Sequence, residues 1–146
     1  MNMKGVVLGT LALAVIVAAL RAQQPARSVW DRVYTDDQAR RGRPVYVAKC
    51  EDCHGQSLEG DAEAPPLSGG AFITNWNGLG LDKLYERIHR DMPADRPGTL
   101  NRNESTDVLA YMLSYNGFPP GDAELPSAPQ VLAEIRFEAE NPRKKR

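Results

Sequence analysis

Five residues, Cys50-Glu51-Asp52-Cys53-His54, constrain this 146-residue chain more than any other feature, because they hold both of its cysteines and one of its two histidines. A disulfide between thiols this close in sequence closes too small a loop to add much stability. A structural zinc site closes a tetrahedron with four Cys or His ligands. The whole chain offers only Cys50, Cys53, His54 and the distant His89, so zinc is poorly supplied. A thioredoxin-like redox dithiol belongs at a strand-to-helix junction of a βαβ unit, and no strand pattern precedes Cys50.

The reading that uses all three side chains is covalent attachment of one c-type haem. Two thiols separated by two residues each form a thioether with one vinyl group of the porphyrin, and the adjacent imidazole is carried under the ring to the iron. A flat apolar cofactor also answers a packing problem. Aromatic residues are 7% of the chain and 11 prolines interrupt it, so a buried ring supplies apolar area that the side chains lack.

The chain divides into four stretches. Lys4 precedes an uncharged run over 5–20, followed by Arg21. This is the pattern of a signal peptide or, if retained, an N-terminal anchor, and it assigns residues 1–22 to export. A leader over 23–34 holds Pro25, Val29, Trp30 and Tyr34 without periodicity and is expected to pack loosely. Residues 35–120 form the folded domain, and 121–146 form an extension with a basic end. In that extension Val131, Leu132, Ile135 and Phe137 are expected to make a short segment lying on the domain. Beyond Lys4 and Arg21 the charge is −3, with 16 basic and 19 acidic residues and no basic stripe, so nucleic acid is not an expected partner.

Helix signals are clear inside the domain. Thr35-Asp36-Asp37-Gln38 has the form of a capping box with acidic residues in the first turn, which starts a helix running to about Cys50. Pro44 inside it predicts a kink or restart near Gly42. Leu81, Leu84, Tyr85 and Ile88 form one apolar face of a short helix that stops at Asp91, before Met92-Pro93. Asn101 with Glu104 opens a last helix, whose stripe contains Val108, Tyr111, Met112 and Tyr115 and which ends at Asn116-Gly117.

Gly42, Tyr46 and Cys50 recur every four residues on one helical face. With Cys50 to His54, with Met92-Pro93, and with the run from Asp107 to Met112, this spacing resembles the class I mono-haem c-type cytochromes over about residues 35–120. The resemblance implies an all-α cytochrome c fold of three to four short helices around the haem. It implies that the last helix crosses the first, with Tyr111 and Val108 near Gly42 and Tyr46. It also implies that the Pro65 carbonyl accepts the second ring N–H of His54, a bond that fixes the tautomer and strengthens the imidazole as an iron donor.

Met92 is the expected sixth ligand. A thioether is soft and neutral, and opposite a histidine it raises the reduction potential. Met1 and Met3 lie in the leader, Met112 sits in a helical apolar pattern, and His89 falls beside the apolar face, where a solvent-facing role is expected. Trp76 is a candidate for the haem edge, with its indole N–H available to a propionate. With both axial positions filled, the function is one-electron transfer by an outer-sphere route outside the cytoplasm rather than catalysis. The partners are redox proteins, of the kind that the resemblance links to quinoprotein dehydrogenases or terminal oxidases. The membrane is a partner only if residues 5–20 are retained. An open distal site would instead support peroxidase-like or sensor chemistry, and a zinc module is the third reading. Glu51, Asp52, Glu59, Asp61 and Glu63 make the attachment segment acidic, which suits a basic partner surface.

Overall fold

A computed structural model describes residues 27–145. The expected signal or anchor segment over 1–22 lies outside the described residues. The fold is all-α, as expected, with helices α1 (Asp36–Lys49), α2 (Glu51–His54), α3 (Gly69–Trp76), α4 (Leu81–Glu86), α5 (Arg102–Tyr115) and α6 (Pro129–Leu132). A π-helical turn, Arg87–Asp91, continues α4. Two short strands, β1 (Arg27–Ser28) and β2 (Ile135–Arg136), pair in parallel. Among the described residues no helix is long and apolar enough to cross a membrane.

The main helix packing is α1 against α5. At their crossing a Cβ on Gly42 would lie 1.9 Å from the Asp107 carbonyl oxygen and 2.9 Å from Tyr111 Cβ, so only glycine lets the two backbones approach this closely. Tyr46 packs its ring on Tyr111 at 5.4 Å. Arg41 grips Asp107 with two hydrogen bonds of 3.1 and 3.0 Å and reaches Glu124 at 2.9 Å, tying α1, α5 and the C-terminal extension together.

The helix starts follow the sequence with one difference. Thr35 Oγ1 accepts the Gln38 amide at 3.1 Å, as an N-cap should. Gln38 does not return the bond to Thr35. Its buried amide instead makes two hydrogen bonds to the Leu125 backbone, at 3.1 and 2.8 Å. At α5 the capping box of Asn101 and Glu104 is complete. The restart expected near Gly42 does not occur, and α1 is one helix across Pro44. Pro44 and Arg40 are both exposed, so water can serve the carbonyl that the proline leaves unpaired.

The leader is corrected more strongly. Rather than packing loosely, Val29, Val33 and Tyr34 are fully buried, and Arg27–Ser28 pairs with Ile135–Arg136 of the extension. Trp30 Nε1 donates to the Glu138 carbonyl at 2.9 Å, Tyr34 Oη donates to the Phe118 carbonyl, and Arg143 pairs with Asp31. Leu125, Leu132, Ile135 and Phe137 of the extension are core residues. These positions show no helical or alternating pattern because they reach the core from turns, two-residue strands and, at Leu132, a single helical turn. Tyr115, expected in the apolar stripe, is 45% exposed at the last residue of α5, with its ring against Tyr111 at 6.1 Å.

Candidate haem centre

The segment from Cys50 to His54 presents its side chains in order. α1 ends at Lys49, the chain turns at Cys50, and the single turn of α2 carries Cys53 and His54. Both thiols are free, with Cys53 exposed and Cys50 half-buried against the core. Burial, with the neighbouring Cys53 adding to it, pushes the Cys50 thiol up to about 11. Among the described residues no group of three or more His, Cys, Asp or Glu side chains is gathered to hold a metal ion, so a zinc cluster is not assembled.

His54 is buried, and its Nδ1 lies 2.9 Å from the Pro65 carbonyl oxygen. With the proton on Nδ1 donated there, Nε2 keeps its lone pair. The loop over 55–68 is shaped to hold that carbonyl. Gly60 stands at φ +67, where a Cβ would meet the Ala64 carbonyl oxygen at 2.4 Å and the Pro65 carbonyl carbon at 2.7 Å. The Gly60 amide donates to the His54 carbonyl at 2.8 Å. Asp61 Oδ1 accepts the amides of Ala64 and Glu63 at 2.7 and 2.8 Å, and these bonds hold its carboxyl below the usual carboxylate range. Tyr46 Oη donates to the Gly55 carbonyl at 2.7 Å, fixing the loop's start to α1, and burial pushes its own pKa up. Leu58, fully buried at φ +58, anchors the middle. Gly60 and Leu58 were not singled out in the sequence, although a glycine six residues after His54 was visible there.

On another part of the domain, the π turn at Arg87–Asp91 widens the helix immediately before Met92. Met92 is extended and half-buried, and the following Pro93 is buried. A turn from the Pro93 carbonyl to the Arg96 amide at 2.9 Å, and buried Leu100 at the far end, fix the loop. His89 is half-buried rather than turned out to solvent. It stacks on Tyr85 at 5.4 Å and places Nδ1 3.1 Å from Ser105 Oγ, held against α5. Trp76, at the end of α3, packs on Phe72 at 6.4 Å, and its indole N–H finds no acceptor among the described residues. It lines a cleft of about 290 Å³ with Lys83, Glu86, Arg87, Arg90 and Asp91.

Residues 37–112, just over half of the chain, match the family described as cytochrome c oxidase, cbb3-type, subunit III. The chain belongs to this family. As a cytochrome c domain it implies haem, and electron transfer rather than catalysis by the chain itself. The donor set fits that group: two unlinked thiols and a buried imidazole with one ring nitrogen free. Among solved structures, the sulfane dehydrogenase SoxCD from Paracoccus pantotrophus is similar at 24% identity with a TM-score of 0.47, covering 64% of this chain and 55% of that one. The cytochrome thus spans about half the length of that chain. No curated protein sequence matches it.

Proposed function

We propose that the chain carries one haem c, bound through thioethers of Cys50 and Cys53, with His54 Nε2 and Met92 sulfur as axial ligands, and passes single electrons by an outer-sphere route. The observation that carries this reading is the His54 to Pro65 contact of 2.9 Å beside two free thiols. It commits one imidazole nitrogen to the protein and leaves the other as a donor. Haem supplies the redox couple. The protein holds it, fixes the imidazole by the Pro65 carbonyl and excludes water with Leu58 and the α1–α5 core. Trp76 and Arg90, which line one cleft and have no partner in hydrogen bonds or ion pairs among the described residues, are available to propionate carboxylates.

The visible spectrum of the purified holoprotein, oxidised and reduced, tests the assignment together with haem staining after denaturation. Colour that stays with the denatured chain and a weak red band in the ferric state are expected. Colour lost on denaturation removes the thioethers, and a ferric spectrum without the red band removes Met92.

The site of action on this reading is outside the cytoplasm, in keeping with Lys4 and the uncharged run over 5–20. The partners are redox proteins with a basic surface. From Cys50 to Asp82 the chain contains no Lys or Arg. Glu51, Asp52, Glu59, Asp61 and Glu63 form no ion pair among the described residues, whereas eight acids elsewhere do. Unpaired exposed charge next to the attachment site acts on association rate. The bimolecular electron-transfer rate with a basic partner is therefore expected to fall as salt rises from about 10 to 150 mM, over which the screening length shrinks from about 30 to 8 Å. A rate independent of salt rules this steering out.

A further inference from the structure

Phe137 lies well beyond the matched region over 37–112, yet it sits at the centre of an aromatic chain that reaches Trp76. Its ring is 5.2 Å from Phe118 and 5.7 Å from Phe72, and Phe72 is 6.4 Å from Trp76. The backbone is fastened at the same place. Phe137 donates to the Leu79 carbonyl at 2.8 Å and accepts the Gly78 amide at 2.7 Å, while the Ala139 amide donates to Asn77 Oδ1 at 2.9 Å. Asn77 to Gly80 is the turn joining Trp76 to α4, and α4 runs through the π turn to Met92. On its other side α4 rests on α6 and β2, both parts of the extension, with Leu81 and Leu84 buried. The extension therefore holds the start of the segment that ends at the axial methionine.

We propose that the C-terminal extension is a positioning element of the haem centre: Phe137 and its hydrogen bonds to the Asn77–Gly80 turn set the placement of Trp76 and of the α4 segment that presents Met92. The inference rests on Met92 as an axial ligand. Its physical basis is that a short helix with a π turn has little stiffness of its own and takes its position from what it packs against. Loosening that floor weakens the iron–sulfur contact before it unfolds the domain.

The test uses the full-length holoprotein with Phe137→Ala, Phe137→Leu and, as a matched core deletion in the extension, Leu125→Ala, which is buried against Gln38 of α1 instead. Each is measured well below its own unfolding midpoint. Phe137→Ala is expected to bind added imidazole at the sixth position about tenfold more tightly than wild type and to weaken the red ferric band. Phe137→Leu should recover most of both, and Leu125→Ala should match wild type. Unchanged imidazole affinity in Phe137→Ala, or an equal rise in Leu125→Ala, overturns the proposal. If Phe137→Ala fails to fold, Phe137→Leu must give an intermediate shift or the proposal falls. If wild type lacks the red band, the methionine assignment fails separately, and exchange of the Gly78 and Leu79 amides decides the positioning role. Faster exchange in the Phe137 variants and not in Leu125→Ala supports it, and unchanged exchange overturns it.

Discussion

Alanine at Gly42 is expected to cost the domain about 3 kcal/mol or more, lowering the thermal midpoint by roughly 10 °C. The added carbon would meet the Asp107 backbone at 1.9 Å, and backbone inside a helix cannot step aside as a flexible side chain can. Relief requires α1 and α5 to separate. That separation would also disturb the Tyr46 to Tyr111 contact and the double hydrogen bond between Arg41 and Asp107. Alanine is otherwise the better helix former by close to 1 kcal/mol, so the sign of the result discriminates cleanly. A stabilised Gly42→Ala variant would mean that the helices do not cross here. Valine in the same place is expected to prevent folding. Thermal melts followed by far-ultraviolet circular dichroism on both variants measure the effect.

Removing the methionine sulfur is the second large effect. Met92→Ala is expected to abolish the red ferric band, to lower the reduction potential, and to let cyanide or imidazole bind far more tightly than they bind wild type. The fold should survive, because Met92 is half-buried and the loop is held independently by Pro93 and Leu100. The stability loss should therefore stay near 1 kcal/mol in the chain itself. His89→Ala, in contrast, removes a ring stacked on Tyr85 and bonded to Ser105 and leaves the spectrum unchanged. If His89→Ala changed the spectrum and Met92→Ala did not, the axial pair would be two histidines and the carrier would work at a lower potential.

Much of the candidate site was legible because its chemistry is local. Cys50, Cys53 and His54 are contiguous, so their types and spacing carry the meaning without reference to any other part of the chain. Gly42 and Tyr46 were legible for a related reason, since helical periodicity projects them onto the face of Cys50. The Pro65 contact with His54 came from family resemblance, and the structure shows how Gly60, Leu58 and the Asp61 turn hold that carbonyl in place. The role of Gln38 was not legible. A glutamine three residues after a threonine reads as half of a capping box, and nothing local reveals that a leucine far along the chain competes for its amide. The π turn before Met92 was equally hidden, because the apolar spacing of Leu81, Leu84, Tyr85 and Ile88 does not register a change of helical pitch.

The sequence by itself marked Cys50, Cys53 and His54 as the candidate haem residues and set the three main helices, both of which depend on residue types within a few turns of one another, while the close approach at Gly42 was implied by family resemblance. Tertiary structure alone decided that the leader and the extension close on each other, bury Val29, Tyr34, Leu125 and Phe137, and brace the turn after Trp76. Those residues lie in turns and two-residue strands, where no period marks an inward face. Their burial is set by partners far along the chain, and such a pairing leaves no trace in the local pattern of either segment.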